Sequence, residues 1–200
     1  MNNNHLTQIC HHFNLGNPID TPIRVYGGLL HIMWKVKTDK NPYAIKQISN
    51  DIDITDKKIA HNYNLSEEIA NSFKAHEIPA ISAIAKNHEY LFVIEKIGYL
   101  VYPWIEAKIN KAPNESQALK IANILAKIHA INLKIPGIAE TEFVVHEEAK
   151  IILLFEKAKL TNLSSILIAN ENNQEAIPHL KQHLVISHGD LDPKMSYGIP

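Results

Sequence analysis

The stretch "HLTQICHHFNL" over residues 5 to 15 puts Leu6, Ile9 and Phe13 on one face at helical spacing, so the chain opens with a short amphipathic helix. Two prolines in "NPIDTP" end it. From Ile23 the period changes. "IRVYGG" reads as a strand closing on a glycine pair, and "LLHIMWKVK" alternates as a second strand. "YAIKQI" follows the "TDKNP" turn as a third. "SEEIANSFKA" is a helical stretch, with Ser66 as its N-cap and Glu67 and Glu68 in the first turn, where the helix dipole favours acids. After "IPAISAI" the strands "EYLFVI" and "YLVYPWI" are joined by the tight "EKIG" turn.

Past residue 105 the strands nearly vanish. "NESQALKIANILAKIHAINL" carries Ala118, Ile121, Leu125 and Ile128 at helical spacing, and "PG" at 136–137 closes that unit. Two or three further helices fill 143–183, and the apolar run "HLVIS" leads into the terminal loop "SHGDLDPKMSYGIP". There is no internal repeat and no low-complexity linker. A strand-rich first half before a helical second half predicts an α+β protein with two lobes.

Composition narrows the function classes. With 200 residues, 46% hydrophobic and 20% charged, the chain reads as an ordinary soluble globular protein. The net charge of -1 offers no electrostatic reason for nucleic acid or an acidic membrane as partner, and neither is expected. Arg24 is the only arginine, so bidentate phosphate clamps are scarce. Cys10 is the only cysteine, which excludes an intrachain disulfide and fits a reducing cytoplasm. "MNNNHLTQIC" lacks the basic and apolar regions of a secretory signal, and runs such as "IILLF" are too short to span a bilayer.

Five features carry candidate chemistry. Gly27 and Gly28 form a turn where backbone can approach a phosphate closely, or simply a hairpin bend. Lys46 ends an apolar strand; pointing inward it needs an anion, and pointing to an edge it is merely solvated. Glu67 and Glu68 can reach Lys46 if their helix packs on the sheet, or serve only a helix N-terminus. "YLVYPWIE" (Tyr99 to Glu106) offers backbone groups that can hydrogen-bond a flat heterocycle. "HGDLDPK" (His188 to Lys194) presents Asp190 from a loop, where a carboxylate can accept a proton. A competing reading comes from "HLKQH". His179 and His183 stand at i, i+4 beside His188 and Asp190, a spacing that suits a zinc ion or a solvated helix face. No Glu sits between them as a metalloprotease motif requires, and the His11–His12 pair is weaker still.

The order of the five is more specific than any one of them. A glycine turn, a strand lysine, a helix glutamate, a hinge strand and a His-x-Asp loop follow the plan of a kinase. With "EIPAISAI", "LVYPWIEAK", "LAKIHAINL" and "LVISHGDLDPK", the chain resembles the aminoglycoside phosphotransferase/choline kinase-like family from about residue 5 to 194. That resemblance implies a protein-kinase-like two-lobe fold. Residues 1–104 would form an N-lobe with an N-terminal helix, a five-stranded sheet, one helix and the hinge. Residues 105–200 would form a partial helical C-lobe ending at the catalytic loop.

It also implies roles. Lys46 would hold the α- and β-phosphates of ATP (or GTP), oriented by Glu67 or, one register away, Glu68. Gly27 and Gly28 would lie over the phosphates, and Val101, Tyr102, Pro103 and Trp104 would form the adenine hinge. Asp190 would position and deprotonate the hydroxyl of a small-molecule acceptor, with His188 bracing the loop. Mg²⁺ is expected for the family, but the chain departs from its H-x-D-x-x-x-x-N pattern by carrying Met195 where the metal-binding Asn belongs. A thioether is a poor ligand for Mg²⁺. No later residue carries the family's second metal-binding Asp, so the metal site is incomplete and a C-terminally truncated member is expected. Such a loss removes about three decades in rate. A pseudokinase-like fragment that binds nucleotide or protein without catalysis is the alternative.

Overall fold

The computed structural model describes residues 1–26, 30–106, 114–131, 133, 135–136, 146–159 and 161–181. Their elements follow in the order α1 (Asn3–His12), β1 (Ile23–Val25), β2 (Ile32–Lys37), β3 (Pro42–Gln47), α2 (Lys57–Ala75), β4 (Phe92–Ile94), β5 (Ile97–Pro103), α3 (Glu115–Ile131), α4 (Glu148–Ala158) and α5 (Leu163–Lys181). The chain divides into two compact units, the first comprising Met1–Ile131 and the second Asn132–Ser187 among the described residues.

In the first unit the five strands make one antiparallel sheet in the order β1-β2-β3-β5-β4. Side chains alternate across it, and each face has its own core. On one face Val36, Ile45, Tyr99 and Val101 pack against Leu6, Ile9, Cys10 and Phe13 of the opening helical segment. Fully burying each large aliphatic of this set contributes roughly 1.5–3 kcal/mol. On the other face Ile48 and Leu100 pack with Ile54, Tyr90 and Leu91, and α2 adds Ile59, Ala60 and Tyr63. The β4–β5 turn puts Glu95 and Lys96 at φ 49° and 68°, the left-handed pair of a tight hairpin. Beside it, Gly98 leaves room for the second core: a Cβ there would stand 2.9 Å from Ile54 Cγ1.

The opening helix lies where its spacing predicts, although it begins at Asn3, capped by the Asn2 side chain accepting from the His5 N–H at 2.7 Å. His5 is buried and bonds the Tyr99 hydroxyl through Nδ1 at 2.7 Å and Glu95 through Nε2 at 3.2 Å, fixing α1 to the hairpin.

α2 corrects the sequence reading. It starts at Lys57, and its N-cap is Asp56, whose Oδ1 accepts from the N–H groups of Lys58 at 2.7 Å and Ile59 at 3.2 Å. Ser66 is mid-helix and donates its hydroxyl to the Asn62 carbonyl at 2.9 Å. Glu67 and Glu68 therefore stand in the helix interior, away from any first turn. α3 matches its predicted span and opens on a capping box: Asn114 Oδ1 accepts from Gln117 N–H at 3.0 Å, and Gln117 Oε1 accepts from Asn114 N–H at 2.9 Å.

The second unit contains α4 and α5, both within the stretch 143–183 where further helices are expected. α4 closes on Lys159 in the left-handed conformation, and Asn170 of α5 donates to the His146 carbonyl at 3.0 Å. Among the described residues no helix is long and apolar enough to cross a membrane.

Candidate functional site

Pairing register decides which side chains share the α2-covered face of the sheet. Lys46 is opposite Met33 on β2 and Leu100 on β5, and Ala44 is opposite Lys35 and Tyr102. With Ile48 and Leu100 in the α2-side core, this face carries Lys46, Lys35 and Tyr102. β3 is the central strand, with two strands on each side, so an edge position for Lys46 is excluded. Its side chain is half-buried.

The two candidate glutamates separate cleanly. Glu67 is 7% exposed and faces inward; Glu68 is exposed. Glu67 Oε2 accepts from the Ala83 N–H at 2.7 Å, and its Oε1 accepts from the Tyr102 hydroxyl at 2.6 Å. These short bonds satisfy a buried carboxylate without a cation. The expected Lys46–Glu67 contact is not made: the ion pairs of the described residues include none between them. The Lys46 ammonium instead lies over the Tyr102 ring, 5.6 Å from its centroid. Burial, and then the Glu67 carboxylate, push the Tyr102 phenol far above its ordinary range, so it remains a donor.

The strand predicted as a hinge leaves the sheet here. Trp104 N–H donates to the Pro42 carbonyl at 3.2 Å, and the Val101 carbonyl accepts from Ile84 N–H at 2.7 Å. Pro103 has no N–H to give. Trp104 N–H points to β3, so the Pro103 carbonyl across the same peptide turns away from it and presents an acceptor. Beyond the strand, Lys35 stacks on the Trp104 ring at 4.1 Å and bonds Glu106 at 2.7 Å; Trp104 Nε1 donates to the same carboxylate at 2.7 Å. These contacts depress the Glu106 pKa, the Lys35 hydrogen bond most.

Sequence reasoning missed Tyr102 as a side chain and His31 altogether. His31 Nδ1 accepts from Ser49 N–H at 3.3 Å, and its Nε2 faces the Tyr63 hydroxyl at 3.3 Å. Burial first, then nearby Lys46, lowers its pKa. The alternation that places Lys46 could have flagged both residues, since Tyr102 and His31 fall on the same face.

Gly27, Gly28, His183, His188, Asp190 and Met195 lie outside the described residues. His179 is exposed on α5, and among the described residues no three His, Cys, Asp or Glu side chains gather to hold a metal. His11 and His12 border a groove of about 620 Å³ on the α1 side, with Cys10, Lys40 and Lys86. Lys46, Glu67 and Tyr102 do not line it. Burial pushes the Cys10 thiol up to about 11, and Asp39 adds to this, so it is a poor nucleophile there.

No protein-family profile matches the sequence, and no curated protein does. Among solved structures, the spectinomycin phosphotransferase APH(9)-Ia, crystallised with ADP and spectinomycin, is similar at a TM-score of 0.50 and 14% identity. The match covers 97% of this chain and 65% of that one, so the chain spans about 65% of that protein's length. At this identity the likeness carries the fold alone: helices with a five-stranded antiparallel sheet.

Proposed function

We propose that the chain is built for phosphoryl transfer from ATP (or GTP) to the hydroxyl of a small molecule, with the nucleotide against the α2-covered face of the sheet. The observation that carries this reading is Lys46: a half-buried ammonium on the central strand, without a carboxylate partner among the described residues. Such a charge is stabilised by an anion brought to it. In this reading Lys46 holds the α- and β-phosphates. Backbone groups of the hinge of Val101, Tyr102, Pro103 and Trp104, the Pro103 carbonyl among them, hydrogen-bond the purine edge. Gly27 and Gly28 close over the phosphates.

The chemistry belongs to Asp190. Its carboxylate takes the proton of the acceptor hydroxyl while that oxygen bonds to the γ-phosphorus and the bond to the leaving diphosphate breaks. His188 braces the loop. Mg²⁺, expected with the nucleotide, would neutralise phosphate charge; the described residues gather no oxygen cluster for it, and the reading assigns it no ligand. The ADP and spectinomycin held by the similar structure support a nucleotide and a hydroxyl-bearing small molecule as ligands.

Calorimetry of the whole chain with ATP, with and without Mg²⁺, tests this. Lys46→Ala is expected to weaken binding about 10- to 100-fold, the range for losing a charge-assisted contact. A folded chain that binds no nucleotide sinks the proposal.

A further inference from the structure

Tyr63 stands one turn of α2 before Glu67, so the two side chains leave the same face of the helix. They come down on different strands. Glu67 meets Tyr102 of β5, whereas Tyr63 meets His31, the residue just before β2. The rings of Tyr63 and His31 lie edge to face with centroids 6.0 Å apart. β3 runs between β2 and β5, and His31, continuing the register past the Ile32–Gln47 pair, is a diagonal neighbour of Lys46 on the same face. The Tyr63 hydroxyl is therefore brought to the β2 side of Lys46.

The direction of its proton follows from His31. Ser49 N–H donates to Nδ1 at 3.3 Å, which leaves the ring proton on Nε2, and Nε2 faces the Tyr63 oxygen at 3.3 Å. The hydroxyl thus accepts from the imidazole, and its own proton must go elsewhere; among the described residues no acceptor takes it. Burial raises the phenol above its ordinary range, so the proton stays on the oxygen. We propose that Tyr63 is a phosphate-binding residue and His31 its positioning residue: the imidazole fills the acceptor side of the hydroxyl and turns its proton toward the anion held by Lys46. The inference rests on the nucleotide reading for the identity of that anion. An O–H aimed at a phosphate oxygen makes a charge-assisted bond without a second cation, which suits a chain whose only arginine is Arg24.

Tyr63→Phe keeps the ring and removes the donor. MgATP and inorganic tripolyphosphate are titrated into the unmodified chain and each variant by calorimetry, with folding checked by circular dichroism. Tyr63→Phe is expected to bind both probes about tenfold more weakly, the low end for a hydrogen bond to a charged group. His31→Leu should weaken both about threefold when Tyr63 is present and not at all in Tyr63→Phe, because no hydroxyl then remains to orient. His31→Gln, whose amide can accept from Ser49 and donate to Tyr63, should keep the unmodified affinity. A merely structural His31 would cost the same in both backgrounds. In parallel, nitrogen NMR of the neutral imidazole in the unmodified chain should show the proton on Nε2. This second readout stands even if a variant fails to fold.

Undiminished binding of tripolyphosphate by Tyr63→Phe, an equal effect of His31→Leu in the two backgrounds, or an imidazole proton on Nδ1 overturns the proposal and leaves the nucleotide reading standing. Binding of tripolyphosphate without ATP, weakened in Tyr63→Phe, sinks the nucleotide reading and leaves the hydroxyl donor standing. Binding of neither probe overturns both.

Discussion

His31 is kept neutral by the groups it touches. Ser49 N–H already points at Nδ1, so the ring proton belongs on Nε2, toward the Tyr63 hydroxyl. Adding a second proton would set two N–H groups against each other beside the Lys46 ammonium. The charged and titratable groups facing the ring are Lys46 from β3 and Tyr63 from α2, and neither favours the cation. A histidine with a lowered folded pKa binds fewer protons folded than unfolded, so stability rises with pH through this window. The contribution is complete above the unfolded value near 6.5 and is lost as pH falls toward the folded one. A melting temperature that falls between about pH 7.5 and 5.5 is the expected outcome. His31→Gln, whose amide oxygen can still accept from Ser49, should flatten part of that slope by scanning calorimetry. Part of what remains belongs to His12, stacked on Phe92 at 3.9 Å, whose pKa is lowered by burial and by Lys86, and part to the Met1 amino group, lowered by burial and then Arg24. A pH profile unchanged in His31→Gln would contradict this assignment.

Among the elements, α2 shows where local signals mislead. Ser66 followed by two glutamates looks like a capped start, yet the helix begins earlier at Asp56 and runs straight through it. The segment before Ser66 is polar, with Ile59, Tyr63 and Leu65 thinly spaced, so its amphipathic period is faint and tertiary packing decides. Asp56→Ala should therefore cost about 1 kcal/mol of stability, while Ser66→Ala should stay within about 0.5 kcal/mol. Urea unfolding of the two variants measures both. The reverse ranking would return the helix start to Ser66. Elsewhere the sequence was easier to read. α1, the strand order of polar and apolar positions, the β4–β5 hairpin and α3 all follow strong periods or explicit turn residues. The Lys46–Glu67 contact could not be read the same way. It depends on the register between β3 and β5, which sets Tyr102 between them, and a linear pattern holds no record of cross-strand diagonals. Which of Glu67 and Glu68 faces inward likewise needed the helix phase, shifted by the earlier start.

On the scale of the first unit, the sheet is a wall between two separate cores. The α1 side is sealed by Ile9, with no exposed surface, and by Leu15, Val36 and Ile45, each at most 1% exposed. Ile9→Ala opens a cavity there and is expected to cost about 2–5 kcal/mol. It should do so without altering the Lys46 face, since Ile9 belongs to the core on the opposite side of the sheet. Denaturant melts give the first quantity, and ATP binding by calorimetry in the same variant checks the second. Loss of binding in a still-folded Ile9→Ala protein would mean the two cores are mechanically coupled.

The same division has an optical consequence. The chain contains two tryptophans. Trp34 packs with the α1-side core and donates its indole N–H to Gln47 at 3.1 Å. Trp104 lies at the end of β5 beneath the Lys35 ammonium, its indole N–H given to Glu106. One fluorophore therefore looks out on each side of the wall, and each sits in a different electric field. Replacing either with Phe leaves a chain whose remaining emission reports a single face: Trp34 the seating of the first helix, Trp104 whatever arrives where the last strand leaves the sheet.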